Sequence, residues 1–275
     1  MSRTAHSPVT GSLKFLADLE SPLVYVPSKG GGDQTQHLGN FSARDVQIHN
    51  ARTELASTRL DREGFVLRTL NSAVTDFYDD DQLGSIYHGE VKTLLKSLTG
   101  ARRVEIFDDT RRSSSLAQQQ ERRVREPANI VHNDYTDASG TRRLRDFFAN
   151  DPEQARHLEE RRFAIINVWR PLAGPVLDQP LVLCDATTVR DSDLISVERR
   201  ADERIGELQV ALHDPQQRFY YFPRMQTSEV IVFKTFDSAL DGRTRFTLHS
   251  SFQDATTPRD APPRESLETR CLVFF

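Results

Sequence analysis

Sulfur is scarce in this chain, with two cysteines and two methionines in 275 residues. Cys184 and Cys271 both sit inside apolar, strand-like runs (PLVLCDATTV and TRCLVFF), which reads as small core residues rather than a disulfide or a metal pair. Long hydrophobic runs are missing as well. No apolar stretch approaches the roughly 20 residues that a membrane helix needs, and the N-terminal MSRTAHSPVTGSLKFL lacks the apolar centre of a secretory signal. Charge of one sign is not in excess: 36 basic against 40 acidic residues leave a net charge of −4 and no general reason to expect a nucleic acid as partner. The expectation is a soluble, cytoplasmic protein that meets neither membrane nor nucleic acid.

What is present is a globular composition, 37% hydrophobic and 28% charged, on a chain long enough to bury a substantial core. Residues 1–50 are rich in Gly, Ser, Thr and Gln, with SKGGGDQTQ the clearest flexible stretch, and are expected to form an extended segment packed loosely on a domain spanning 51–275. LDREGFVLRTLNSAV reads as a strand after a turn. DDDQLGSIYHGEVKTLLKSLTGA has a helical period, with Val91, Leu94, Leu95 and Leu98 on one face and Gly100 placed to end it. RRVEIFDDT then alternates like a strand. Residues 111–126, RRSSSLAQQQERRVRE, carry five arginines without the interleaved aromatics that would stack on bases, so they read as a solvated loop whose composition would suit a mobile lid. One amphipathic helix is expected around TRRLRDFFANDPEQARHLEERR.

From residue 163 onward, seven short segments rich in β-branched and aromatic residues alternate with turn signals such as AGP, HDPQQ and LDGR. With VEIFDDT and NIVHNDY they give about eight or nine strands. The predicted class is α+β, mainly β: a jelly roll (double-stranded β-helix, cupin-like) braced by N-terminal helices.

The chemistry centres on VHNDYTDASG, residues 131–140. His132 and Asp134 are two apart, so on a strand they share a face. Alone, the pair could equally be an ordinary polar strand end. A non-haem iron(II) oxygenase needs two histidines and one carboxylate, with further positions open for O2 and an oxidisable cosubstrate. His249, in the strand-like RFTLHSSF, is the natural third ligand. His6, His37 and His49 lie in the loose N-terminal region, His157 on a charged helix and His213 at a turn. His88 and Glu90 mimic the spacing but open a helix, where an acid suits the N-terminal dipole.

A dicarboxylate cosubstrate needs a cationic anchor, and the planar fork of arginine meets a carboxylate with two charge-assisted hydrogen bonds. In PPRESLETRCLVFF, Arg264 and Ser266 face one side of the last strand, Glu268 and Arg270 continue that polar face, and Leu267 and Cys271 take the other. The plain alternative is a surface pair between Arg264 and Glu265.

Together, H-x-D, a distant histidine and R-x-S resemble the signature of iron(II)/2-oxoglutarate-dependent dioxygenases. NVWRPLAGPVLDQPLVLCDATTV, YYFPRMQTSEVIVFKTFDS and FTLHSSFQDATTPRDAPPRESLETRCLVF are similar to a fungal and bacterial family of gibberellin desaturase-like and AsaB-like hydroxylase/desaturases, over roughly residues 60–275. The resemblance implies iron at His132, Asp134 and His249, 2-oxoglutarate at Arg264 and Ser266, O2 as co-reactant, and an oxidised small-molecule metabolite. Asn167, Trp169, Arg170 and Arg270 are candidate substrate or cosubstrate contacts, with Arg259 a further carboxylate candidate. Asn167 and Trp169 share a face of their strand and Arg170 takes the other, while Tyr135 is expected to face away from the ligand pair. Two other readings stand beside this one: a cupin-type metal enzyme without 2-oxoglutarate, and a noncatalytic jelly-roll binding protein.

Overall fold

The computed structural model describes residues 8–19, 22–201 and 204–275, which build a mainly β, α+β fold on two sheets. The smaller sheet runs β5 (Phe65–Thr69), β13 (Glu229–Asp237), β8 (Phe163–Pro171), β16 (Glu265–Phe274) and β6 (Arg103–Ser113), with antiparallel neighbours throughout. The larger sheet has eleven strands. From one edge they are β15 (Gln253–Asp254), β1 (Val9–Leu16), β4 (Phe41–Asn50), β12 (Phe219–Tyr221) and β9 (Leu181–Cys184). Then follow β14 (His249–Ser251), β7 (His132–Asn133), β11 (Arg204–Ala211), β10 (Leu194–Ala201), β2 (Val24–Val26) and β3 (Gln36–Leu38). This sheet is mixed, because β4 pairs with β12 and β2 with β10 in parallel.

Strand β8 shows why the small sheet forms here. All nine of its residues are buried, as its near-continuous apolar run demands of a strand covered on both faces. Phe65, Trp169, Ile231 and Phe233 meet Leu181, Leu183 and Tyr220 of the large sheet. On the opposite face, Ile166, Val168, Val232, Leu267 and Cys271 pack on Val91 and Leu95 of the helix His88–Thr99. Each such side chain contributes about 1.5–3 kcal/mol by leaving water. Gly100 ends that helix in the left-handed region, φ 72°, its N–H returning to Lys96 O. Both cysteines are free and buried, as their sequence context suggested.

The expected single helix after the His132 turn is two. Helix Asp137–Phe147 stops, and Pro152, which has no N–H to continue the ladder, starts Pro152–Glu159 behind an Asp151 cap that accepts from Gln154 N at 3.0 Å. Leu144, Phe148 and Ala155 of this pair cover Phe163, Ile165, Phe236, Leu272 and Phe274.

Two expectations need correction. The described part of residues 1–50 is no loosely packed segment: β1 pairs with β4 along eight residues and buries Val9, Gly11, Leu13 and Phe15 on one face. Gly11 is required there, since a Cβ would lie 2.4 Å from Ile48 and 2.7 Å from Phe252. His6 lies outside the described residues. Counting these and β10, the described residues hold sixteen strands rather than eight or nine. Residues 111–126 are likewise built in. Strand β6 continues to Ser113, the helix Leu116–Arg122 follows behind a Ser115 cap, buried Gln119 donates to Ser113 O at 2.8 Å, and Arg125 bridges to Arg112. Among the described residues, no helix is long and apolar enough to cross a membrane.

Candidate active site

Strands β7 and β14 are neighbours, and His249 pairs directly with His132 across them. Directly opposed residues of an antiparallel pair stand close on one face, and these two rings lie 4.3 Å apart, centroid to centroid. His132 Nδ1 donates to Ile130 O at 2.9 Å and His249 Nδ1 to Thr247 O at 3.0 Å. A carbonyl only accepts, so the proton of each neutral ring sits on Nδ1 and each Nε2 offers a lone pair. The chain bends after Asn133 and turns Asp134 Oδ1 to 3.6 Å from His132 Nε2 and 4.0 Å from His249 Nε2. The three ligand atoms all lie within 4.8 Å of one another.

The bend is held by Asn133, which sequence reasoning missed. Its Nδ2 lies within hydrogen-bond distance of Tyr135 O, Gln209 Oε1 and Thr235 O, at 2.7, 3.0 and 3.1 Å, and its Oδ1 accepts from Thr247 N. The carboxylate itself is clamped on its other oxygen. Asn167 Nδ2 donates to Asp134 Oδ2 at 2.8 Å and Arg270 Nε at 3.2 Å, which leaves Oδ1 to the imidazoles. Burial alone would raise this carboxyl, but Arg270, helped by the two histidines, holds it well below the usual carboxylate range. Burial, with His132 alongside, pushes the His249 imidazole down to about 3, so it is neutral and able to ligate at neutral pH. Arg270 also ion-pairs with Asp108 at 2.5 Å and with Glu268. Despite burial, those acids and Asp134 hold its guanidinium well above the ordinary arginine value.

A cavity of about 320 Å³ adjoins the triad, with His132, His249, Trp169, Arg112, Arg264 and Glu268 in its wall. Arg264 is 4% exposed. Its Nη1 donates to Gln179 O at 2.5 Å and its guanidinium lies 5.6 Å from the Trp169 ring, but among the described residues its buried Nε has no partner, and neither has the Oγ of buried Ser266. Burial, with Arg112 nearby, pushes the Arg264 guanidinium down to about 9. The surface pair with Glu265 does not form. Glu265 instead accepts from Tyr78 Oη at 2.5 Å and Gln118 Nε2 at 3.1 Å.

A second, open cavity of about 820 Å³ also has His132, Asp134 and Arg270 in its wall. Strand β6 reaches it through a bulge: Asp108 pairs with Arg270 and Ile106 with Cys271, so Phe107 is extra, and both Phe107 and Asp108 line the cavity. Tyr135 lines it too, because strand alternation lapses where the chain bends beyond Asn133. Asn167 and Trp169 do share a face of β8, and Arg170 takes the other. There it stacks 4.2 Å from the Phe77 ring and donates to Thr227 O, away from the triad. Arg259 is exposed on a turn. His88 pairs with Asp109 at 2.7 Å, His49 with Glu54, and His213 lies against Phe15. Arg112 was also missed, although alternation along β6 could have shown it: Asp108, Thr110 and Arg112 oppose Arg270, Glu268 and Ser266.

A family model described as an oxidoreductase/YMDC permease-like domain matches residues 13–274. The chain is 35% identical over 276 residues to the hydroxylase/desaturase CTB9 of Cercospora beticola, covering 90% of this chain and 83% of that protein. It is 33% identical over 249 residues to the Fe(II)/2-oxoglutarate-dependent dioxygenase nvfI of Aspergillus novofumigatus, covering 88% and 87%. A solved structure of the iron and alpha-ketoglutarate-dependent endoperoxidase NvfI superposes with a TM-score of 0.82 at 30% identity, over 98% of each chain.

Proposed function

The chain belongs to the fungal hydroxylase/desaturase family of Fe(II)/2-oxoglutarate-dependent dioxygenases, and from that premise we propose that His132, Asp134 and His249 hold the iron while Arg264 and Ser266 grip the far carboxylate of 2-oxoglutarate. The protein is an oxidoreductase that hydroxylates, desaturates or cyclises a small-molecule metabolite of secondary metabolism. In this reading the two sheets are the walls of a double-stranded β-helix, or jelly roll, within a single oxygenase domain.

The observation that carries the proposal is the pair of orphaned donors, Arg264 Nε and Ser266 Oγ, buried beside the triad. An unpaired buried guanidinium is costly, and a carboxylate supplies the acceptors that both donors lack. Two imidazoles and one carboxylate are the donor set of non-haem iron(II) oxygenases and leave coordination positions open. Held by His132, Asp134 and His249, iron would supply, with O2 and 2-oxoglutarate as co-reactants, the oxidising power needed to break an unactivated C–H bond.

The chain's own residues bind and orient. Backbone carbonyls of Ile130 and Thr247 fix the imidazole tautomers, and Asn167 and Arg270 keep Asp134 ionised and turned by one oxygen towards the histidines. Arg270 and Asn167 thus serve the metal ligand rather than the cosubstrate, and Trp169 walls the smaller cavity. The test is an anaerobic titration with iron(II) and then 2-oxoglutarate. A weak visible charge-transfer band that needs both additions is expected, and Asp134→Ala should abolish it. Tight iron binding without the band would favour a cupin-type enzyme, and no iron binding at all a noncatalytic binding protein.

A further inference from the structure

We infer that the molecule oxidised here is an organic acid, whose carboxylate is held by Arg125 and Arg199 with Arg112 and Arg143 beside them, and whose apolar body lies against Phe107, Tyr135 and Leu208. The inference rests on the oxygenase reading for the identity of the open cavity as the reaction chamber.

The wall of that cavity carries five guanidinium groups, on Arg112, Arg125, Arg143, Arg199 and Arg270, and three carboxylates, on Asp108, Asp134 and Glu207. Their partners decide what is left over. Arg270 is taken up by Asp134, Asp108 and Glu268. Asp134 faces the two imidazoles, and Glu207 accepts the neutral Thr136 hydroxyl at 2.7 Å and keeps its charge, so the wall still holds more guanidinium groups than free carboxylates. For the other four arginines, no carboxylate among the described residues lies within the 4.0 Å of an ion pair. Arg112 Nη1 meets a neutral acceptor, Glu126 O, at 2.8 Å. Arg143 rests 5.0 Å from the Phe107 ring, and its buried Nε has no partner among the described residues.

A solvated charge run would look different. These four arginines come from strand β6, the segment after the helix Leu116–Arg122, the helix Asp137–Phe147 and strand β10, so tertiary structure converges them on one space. Burial lowers the Arg125 guanidinium from its ordinary value, and Arg112 and Arg270 lower it further. Half-buried cations that outnumber the carboxylates around them repel one another, and an anion in the cavity relieves this through forked, charge-assisted hydrogen bonds. Opposite Arg199 in the β10–β11 ladder stands Gly206, where a Cβ would meet nothing within 4 Å, so the chamber is open at that point. The cavity opens to solvent, so a small organic acid can reach these arginines from outside.

The experiment uses matched probes: 2-naphthoate and 4-phenylbutyrate, each against its primary amide, which keeps the shape and removes the charge. Binding is followed by ligand-observed NMR on protein loaded anaerobically with iron(II) and saturating 2-oxoglutarate, so that Arg264 is occupied. The acids should bind at least about tenfold more tightly than the amides, the scale of one strong charge-assisted contact. In the double variant Arg125→Gln/Arg199→Gln the preference should fall to within about threefold, with the charge-transfer band unchanged, and Arg125→Lys/Arg199→Lys should restore part of it. Equal binding of acid and amide, no binding of either acid at millimolar concentration, or a preference that survives the glutamine substitutions would overturn the inference. If native protein gives no charge-transfer band, that result sinks the oxygenase reading; the acid preference is then read on the metal-free protein, where its persistence leaves the anion site standing and its loss overturns the inference.

Discussion

Replacing Arg264 with lysine should weaken 2-oxoglutarate by roughly 10–150-fold while leaving iron affinity within about twofold. The magnitude follows from the donors. Nη1 is committed to Gln179 O at 2.5 Å, so Nε and Nη2 form the fork left for a carboxylate. A hydrogen bond to a charged group contributes about 1.5–3 kcal/mol, and about 1.4 kcal/mol is a factor of ten. Lysine keeps the charge and loses one arm of the fork. Iron should be indifferent, because Arg264 makes no hydrogen bond or ion pair with His132, Asp134 or His249. The assay is anaerobic titration of the iron(II) protein with 2-oxoglutarate, read in the charge-transfer band. A second variant guards against a structural explanation. Arg264→Met removes a buried charge that has no ion-pair partner among the described residues, at the expense of the bond to Gln179 O, so the protein free of cosubstrate should melt within a few degrees of native. Cosubstrate affinity within threefold of native in the lysine variant would refute the anchor. A melting temperature several degrees lower in the methionine variant would mean that Arg264 holds the fold instead.

Asn167→Ala removes one of the two donors on Asp134 Oδ2, and iron affinity measured by competition with a chelator should fall by about 10–100-fold, as for other residues that orient metal ligands; an unchanged affinity would leave Arg270 as the sole clamp. Asp237→Ala removes the buried carboxylate shared by Arg162 and Lys234; Lys234, 1% exposed, keeps Asp61 and Thr244 O, so the cost in urea unfolding should be about 1–3 kcal/mol rather than that of a fully stranded charge. Burial would raise the Asp237 carboxyl, but Arg162 and Lys234 hold it below the usual range. Its stabilisation is therefore present above about pH 4, the value of an unfolded aspartate, and lost as the pH falls towards its folded value. Asp237→Asn should accordingly flatten the acid side of the stability profile.

The cluster of His132, Asp134 and His249 was legible because its local signals are strong: an i, i+2 pair at a strand end and a histidine inside an alternating run. Their direct opposition was not, because it depends on β14 lying next to β7. The face of the last strand was also legible, with Ser266, Glu268 and Arg270 inward. What Arg270 does was hidden, since its partners Asp108 and Asp134 are set by the register of β16 against β6 and by the Asn133 bend. The N-terminal strands escaped because Gly11 takes a core position and weakens the alternation of Val9, Leu13 and Phe15. Arg112 and Arg125 escaped for a different reason. Their segment is polar in composition, and its order comes from lying along the edge of the small sheet.

In strand order, β7 and β14 are the thinnest joint of the eleven-stranded sheet, two and three residues long, between β9 on one side and β11 on the other. His132 and His249, 249 − 132 = 117 positions apart in the chain, face each other across it. A cation shared between them acts as a rivet, closing a long loop at the place with the fewest backbone hydrogen bonds. At a thousandfold excess over its dissociation constant, such a ligand adds about 4.1 kcal/mol to the stability of the fold against unfolding. Loading state would thereby be written into the mechanics of the fold: the amide protons of β7 and β14 should exchange more slowly in the filled protein than in the empty one.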